Sequence, residues 1–192
     1  MLVCTVGHGA RPLDELVETL TGAGVTRLVD VRRFPTSRRH PQFNRPAVQE
    51  AARAAGIEYR HEVELGGRRS GEPGEERFAC LRVPAFRSYA ARMAAPEFQA
   101  ALARSLGTDR PCFMCAETVW WRCHRRLIAE LLAARGHDIV HLLGPGRRQA
   151  HRFYDESEVR EGRLYLCGSP VGERPTAADR LIQQELFQEG IE

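Results

Sequence analysis

The chain has 192 residues, of which 43% are hydrophobic and 28% are charged, and this balance is typical of one globular domain. All 28 basic residues are arginine, so Schiff-base and lysine general-base mechanisms are excluded. The formal net charge is +3. No apolar run approaches the roughly 18 residues that a membrane span needs, and we therefore expect a soluble protein with no membrane partner.

The first half of the chain alternates between strand and helix patterns. Residues 2–6 predict a strand, and a helix follows that starts near Pro12 and carries an apolar stripe. Residues 27–31 (Arg-Leu-Val-Asp-Val) predict a second strand, which completes a βαβ unit. After a proline-containing loop, the pattern predicts a helix over 45–55 and a short strand over 57–60.

The second half continues this alternation and then changes character. Residues 64–76 are rich in Gly, Glu and Arg, and we expect them to form a mobile surface loop. The later predicted elements are helices over 86–93, 96–106 and 122–135, strands over 111–115 and 138–143, a hairpin strand over 163–167 and a terminal helix over 177–188.

The alternation predicts an α/β fold with a mostly parallel sheet of four to five strands and helices on both faces. We expect an α/β domain over residues 1–143 and a small C-terminal extension over 144–192 that packs on the same domain. The first residues lack the basic region and the cleavage site of a signal peptide, so we expect a cytoplasmic protein. In the cytoplasm the six cysteines are expected to be reduced, and four of them (Cys4, Cys80, Cys112 and Cys167) are interpreted as small buried side chains.

Ligands of parallel sheets bind at the C-terminal ends of the strands, and three predicted loops leave such ends. The first loop holds His8 between two glycines, which allow close approach of the backbone to a ligand. The second holds Asp30, Arg32, Ser37 and Arg38. An acid in a buried strand is costly unless it is paired, so this loop contains either a structural ion pair or a pair of arginines that binds an anion.

The third loop lies between Cys115, at the end of a strand, and a helix predicted to begin near Arg122. A thiol beside arginines and a helix N-terminus has a lowered pKa and becomes a nucleophile. Glu117 and His124 are candidates for proton transfer. Cys123 and Arg125 complete the predicted substrate-binding residues.

The same cysteines permit other interpretations. The spacing Cys112-x-x-Cys115, followed by Cys123-His124, is superficially that of a zinc site. However, residues three apart on a strand point to opposite faces, and adjacent helical residues diverge by about 100°, so we expect no metal and no cofactor. A redox pair of Cys115 and Cys123, or a purely structural role for both, remains open.

Several short motifs occur in a characteristic order: Thr5-Val-Gly-His-Gly9, Leu28-Val-Asp-Val-Arg32, Leu65-Gly-Gly-Arg68, Cys115-Ala-Glu117 and Cys123-His-Arg125. Over about residues 3–143 they resemble the uncharacterised "domain of unknown function 488" family. The sequence differs from the common form at Gly9, where serine is frequent, and at Trp120 and Trp121, which either pack in the core or stack on a ligand ring.

The resemblance implies an α/β fold in which the three loops meet at one end of the sheet, and it supplies no activity. The motif residues that it carries over are Gly7, His8, Asp30, Arg32, Ser37, Arg38, Cys115, Glu117, Cys123, His124 and Arg125.

We therefore expect an enzyme, possibly a cysteine-dependent hydrolase or transferase, that acts on a small anionic substrate such as a nucleotide or a nucleic-acid end. Cys115, Glu117 and His124 would be catalytic, and the arginines would bind the anion. One alternative is a nucleic-acid-binding module without catalysis, although the small net charge favours a focused pocket. The other alternative is a thiol redox or metal sensor.

Overall fold

A six-stranded sheet forms the centre of the protein in the computed structural model, which describes residues 1–107 and 110–172. The strands are β1 (Leu2–Gly7), β2 (Arg27–Asp30), β3 (Glu58–His61), β4 (Pro111–Cys115), β5 (Asp138–Gly144) and β6 (Arg147–Ala150). Their order across the sheet is β3-β2-β4-β1-β5-β6. The first five strands in this order are parallel, and β6 pairs with β5 in the antiparallel sense.

Helices cover both faces of this sheet, which confirms the predicted fold class. They are α1 (Leu13–Gly22), α2 (Arg45–Ala54), α3 (Pro84–Arg92), α4 (Pro96–Leu106) and α5 (Arg125–Ala134). One apolar core contains Leu16 of α1 and Val48 of α2, and the other contains Tyr89, Phe98 and Leu127 of α3, α4 and α5. None of the helices in the described ranges is long and apolar enough to cross a membrane.

The central strand β4 is buried along its whole length, as expected for a parallel strand covered on both faces. Because side chains alternate along a strand, Cys112 and Met114 enter the core beneath α1 and α2, whereas Phe113 and Cys115 enter the core beneath α3–α5. Cys115 is the last residue of β4 and lies beside Gly7, the last residue of β1. The thiol is therefore held at the C-terminal edge of the sheet.

The residues after 143 add β6 to the main sheet and form a small antiparallel sheet of β7 (Ser157–Arg160), β8 (Arg163–Leu166) and β9 (Ser169–Pro170). Leu164 and Leu166 anchor this small sheet in the core of α5. The strand predicted over 163–167 is confirmed as β8. Pro145 and Gly146 form the turn of the hairpin between β5 and β6, and Gly146 has a φ of +66°. The predicted helix over 177–188 lies outside the described residues.

Cys80 and Cys167 are joined by a disulfide that spans 87 residues, with their Cα atoms 5.6 Å apart. The expectation that Cys80 and Cys167 are reduced, buried side chains is therefore corrected. Cys80 is exposed on the segment before α3, and Cys167 follows β8, so the bond ties that segment to the small sheet. Tertiary contacts decide which cysteines form the disulfide, and a local sequence pattern does not reveal those contacts.

Candidate functional site

A cleft of about 930 Å³ opens at the C-terminal ends of β1, β2 and β4, where the three polar loops meet. His8 and Gly9 enter it from the first loop, Arg32 and Ser37 from the second, and the segment that starts at Cys115 from the third. Its remaining wall comes from residues in the range 67–86, which includes the start of α3, and from Arg126 and Glu156. The cleft thus occupies the position where open α/β sheets bind ligands.

Cys115, Cys123 and His124 converge in this cleft. The Nδ1 atom of His124 lies 3.8 Å from the Cys115 sulfur and 3.6 Å from the Cys123 sulfur. Nε2 of the same ring lies 3.1 Å from the backbone carbonyl oxygen of Val31. Because a carbonyl only accepts hydrogen bonds, Nε2 must carry a proton, and this contact fixes the orientation of the ring.

The two thiols differ in acidity. A hydrogen bond from the Cys123 thiol and then the interaction with His124 hold the pKa of Cys115 well below its usual range, although burial opposes them. Burial, followed by interaction with Cys115, raises the pKa of Cys123 well above its usual range. Cys115 is therefore the more acidic of the two thiols, and Cys123 is its hydrogen-bond partner.

The local fold explains why these three side chains meet. A 3₁₀ turn, Trp120–Arg122, follows the loop after β4, and Cys123 is extended with φ −119° and ψ 149°. His124 is the N-cap of α5, which begins at Arg125. The helix predicted from Arg122 thus begins three residues later, and the divergence of adjacent helical residues does not apply to Cys123 and His124.

Arg32 is committed to an ion pair with Asp30 at the end of β2. Its guanidinium donates to both carboxylate oxygens of Asp30, with Nε–Oδ1 at 2.8 Å and Nη2–Oδ2 at 2.6 Å. The Tyr59 hydroxyl donates to the same carboxylate at 2.7 Å. Asp30 is fully buried and Arg32 is 6% exposed, so this pair is the structural ion pair that the sequence left open. Arg32 reaches the cleft wall with few donors left for a ligand.

His8 is held as a neutral ring beside that ion pair. Its Nδ1 donates to the carbonyl of Gly9 at 2.9 Å, so Nε2 is free to accept from Nη1 of Arg32 at 3.2 Å. The ring stacks on Phe43 with a centroid distance of 4.0 Å. Burial is the main reason that its pKa is lowered to about 4. His8 therefore presents an uncharged surface to the cleft at neutral pH.

The remaining predicted residues are spread around the cleft. Ser37 lies in its wall, where its hydroxyl accepts from the backbone N–H of His40. Glu117 also lines the cleft, and its carboxylate accepts from the backbone N–H of Val119. Arg38 lines a smaller neighbouring pocket together with Ser37. Three of the predicted residues, Asp30, Arg38 and Arg125, are therefore not in the cleft wall.

Arg125 lies behind the cysteines and is 1% exposed. Its Nη2 donates to the carbonyl of Thr118 at 2.9 Å, whereas Nε and Nη1 have no hydrogen-bond partner in the described part of the chain. A side chain at position 7 would meet this guanidinium, since a Cβ built on Gly7 falls 2.5 Å from Nη1. Gly7 thus makes room for a buried positive charge close enough to Cys123 to favour its thiolate.

Most of the arginines that line the cleft were not predicted from the sequence as site residues. Arg33, Arg68, Arg82 and Arg122 all line the cleft and are exposed. Within residues 1–107 and 110–172 none of these four forms an ion pair with a carboxylate. These four arginines, called the rim arginines below, carry exposed positive charges that no carboxylate of the described residues neutralises, although Nη1 of Arg33 donates to the carbonyl of Arg68 at 2.9 Å.

Residues 64–76 were predicted to form a mobile surface loop, but the first part of this range is buried and hydrogen-bonded. Leu65, Gly66 and Gly67 are buried, and the guanidinium of Arg69 donates to the carbonyls of Val63, Glu64 and Gly66. A Cβ on Gly67 would lie 2.5 Å from Nδ1 of His124, so this backbone packs directly on the imidazole. The motif Leu65-Gly-Gly-Arg68 was the sequence feature from which this part of the cleft wall could have been predicted.

The family profile described as "Domain of unknown function DUF488" matches residues 12–132, well over half of the chain. The chain belongs to this family. The resemblance drawn from the ordered motifs is thereby confirmed, and the matched range includes β2, β4 and the segment of Cys115, Cys123 and His124 in this DUF488 chain. Among curated proteins and among solved structures, no match was found.

Proposed function

We propose that this DUF488 protein is an enzyme that binds a small phosphate-bearing molecule, such as a nucleotide, in the cleft and acts on it at Cys115, Cys123 and His124. The observation that carries the proposal is the position of this reactive cluster inside a cleft bordered by the rim arginines. The volume of about 930 Å³ is large enough for a nucleotide-sized ligand.

The rim arginines support an anionic ligand. A guanidinium presents a planar set of donors that suits phosphate, and this chain has no lysine to share that task. The acidic side chains in the wall are Glu117 and Glu156, and Glu156 is paired with Arg126 at 3.5 Å. The local charge is therefore positive, even though the net charge of the chain is small.

Two exposed aromatic side chains support a ligand that also carries a ring. Phe34 is 60% exposed and Trp121 is 46% exposed, and both line the cleft. Large aromatic surfaces of this kind bind the flat faces of bases by stacking. The two tryptophans differ here, because Trp120 is buried and stacks on His141 at 3.9 Å.

We also infer that the protein works in a reducing compartment, the cytoplasm, because a role for Cys115 and Cys123 in the cleft requires both sulfurs to be reduced. The Cys80–Cys167 disulfide lies at the surface, where a reducing thiol pool can open it. Rapid alkylation of thiols in intact cells, followed by mass analysis, would report the state of both pairs.

The binding part of the proposal is tested by calorimetry with nucleoside mono-, di- and triphosphates and with inorganic phosphate. We expect nucleotides to bind more tightly than phosphate alone. Arg122→Ala or Trp121→Ala should weaken nucleotide binding by about 5- to 30-fold, because each removes one charged hydrogen bond or one stacking surface. The matched control is Arg53→Ala, an exposed arginine on α2 outside the cleft.

The catalytic part is tested by following bound nucleotides with phosphorus NMR. Turnover should be lost in Cys115→Ala and retained in the control. The proposal is wrong if no phosphate-bearing compound binds, if Arg53→Ala weakens binding as much as Arg122→Ala, or if Cys115→Ala turns over substrate at the wild-type rate.

A further inference from the structure

One ring nitrogen of His124 faces two sulfurs. Nε2 is occupied as the donor to Val31, so in the neutral ring Nδ1 carries a lone pair. That lone pair lies 3.8 Å and 3.6 Å from the sulfurs of Cys115 and Cys123. Three electron-pair donors thus point at a common space, and a cation in that space would satisfy all of them.

The distances fit one tetrahedral ion. With metal–sulfur bonds of about 2.3 Å and metal–nitrogen bonds of about 2.0–2.1 Å, tetrahedral angles place a sulfur about 3.6 Å from the nitrogen. The observed distances from Nδ1 of His124 to the two sulfurs, 3.8 Å and 3.6 Å, match this nitrogen–sulfur distance. The three ligand atoms lie within 4.8 Å of one another.

The surroundings of His124 are those of a metal ligand. Histidines that bind a metal through one nitrogen usually donate the other N–H to a carbonyl or a carboxylate, as Nε2 does to Val31. Tyr89 packs on the ring with a centroid distance of 5.0 Å, and its hydroxyl donates to the carbonyl of Leu65. The imidazole is thereby fixed before any ion binds.

We propose that Cys115, Cys123 and His124 bind one zinc-class transition-metal ion, with a fourth coordination position open to the cleft. Thiolate and imidazole ligands select zinc and related soft ions over Mg²⁺ and Ca²⁺, which prefer oxygen. Because all three residues line the cleft, the fourth position faces the ligand space. Three protein ligands and one open position are typical of a catalytic rather than a structural zinc site.

The site goes beyond the proposed function and does not depend on it. A bound ion would convert Cys115 from a free thiolate into a ligand, and chemistry at the cluster would then occur at the open coordination position. Two thiolates neutralise a divalent ion, so the rim arginines would still be needed to hold a phosphate.

Metal binding is tested on the full chain, purified with a mild reductant and without a chelator. We expect close to one equivalent of zinc by mass spectrometry of the metals. After removal of zinc, Co²⁺ should give the d–d absorption of a tetrahedral complex together with thiolate-to-metal charge transfer. Cys123→Ser and His124→Ala should each lower Co²⁺ affinity by about 100-fold or more, because each removes one of three ligands.

The matched control is Cys112→Ala, which removes the thiol on the opposite face of β4 and should keep about one equivalent of metal. Circular dichroism of every variant establishes that it is folded. The proposal is overturned if the folded wild type binds neither ion, if bound Co²⁺ shows no thiolate charge transfer, or if Cys123→Ser binds as tightly as wild type. Nucleotide binding is measured separately, so failure of the metal site and failure of the proposed function are distinguishable.

Discussion

The cleft and the small C-terminal sheet both contain a cysteine pair and ionisable side chains, and they use them differently. In the cleft, Cys115 and Cys123 are free thiols that share His124 and open onto a ligand space. Beside the small sheet, Cys80 and Cys167 are bonded to each other. The first pair is therefore accessible to a ligand in the cleft, whereas the second holds two segments together.

The ionisable side chains of the two regions also differ in their burial, as Glu130 and the rim arginines show. Glu130 of α5 is fully buried and accepts from the backbone N–H of Tyr154, in the segment that leads into the small sheet. Burial raises the pKa of Glu130 to about 7. The rim arginines of the cleft are exposed instead. Changes near the small sheet should therefore alter stability, and changes in the cleft should alter binding.

The largest effect that we expect on the small-sheet side comes from Cys167→Ser. Opening a disulfide that spans 87 residues should lower the free energy of unfolding by roughly 2–4 kcal/mol, since the unfolded chain gains freedom. Metal and nucleotide affinity, measured below the unfolding transition, should change less than threefold. Urea unfolding with and without reductant checks the first value. If Cys167→Ser instead abolished metal binding, the two regions would not be separable.

A somewhat smaller effect is expected from Glu130→Gln, and it depends on pH. The folded-state pKa of Glu130 is raised to about 7, so its contribution to stability is fully present below its ordinary pKa near 4.5 and is lost as the pH rises through 7. The wild type should therefore lose about 1–3 kcal/mol of stability relative to Glu130→Gln between pH 5 and pH 8.

This comparison is made above pH 5 because the pKa of His151, 3.7 Å from Glu130, is lowered by burial to about 4 and the ring stays neutral there. Urea unfolding at several pH values gives the difference. A difference that is constant from pH 5 to pH 8 would show that Glu130 is ionised in the folded protein at both ends of the range.

The smallest effect that we expect is a change in the metal affinity of the cleft, and it comes from Gly67→Ala. Gly67→Ala would place a Cβ 2.5 Å from Nδ1 of His124, so the ring must turn away from the sulfurs. We expect Co²⁺ affinity to fall by about tenfold or more, the size seen when a ligand loses its orienting contacts. Gly22→Ala is the control, since a Cβ there meets nothing within 4 Å. Equal Co²⁺ affinity in both variants would contradict the assigned position of the ion.

Much of the fold was predictable from the sequence. The strand-and-helix alternation gave the five parallel strands and their helices, because each βαβ unit has a local hydrophobic pattern. The edge strand β6 was missed because Arg147–Ala150 is mostly polar and exposed and carries no such pattern. The Cys80–Cys167 bond was missed because partners 87 residues apart are chosen by tertiary packing.

The location of the candidate site was also predictable, since Cys115 stands at the end of an apolar strand. The convergence of Cys123 and His124 with Cys115 was not, because it depends on the 3₁₀ turn Trp120–Arg122 and on one extended residue before α5. Arg32 and Arg125 were read as anion ligands from their positions in motifs. Their burial, which leaves the exposed rim arginines more accessible to a ligand, becomes visible only when the loops are packed together.

The most direct measurement is a crystal structure of the wild-type protein grown with zinc, with diffraction data collected on both sides of the zinc absorption edge. We predict one anomalous peak within bonding distance of the Cys115 sulfur, the Cys123 sulfur and Nδ1 of His124, with its remaining position facing the cleft. A fully reduced, empty cluster in such crystals, or zinc bound only elsewhere, would contradict the account.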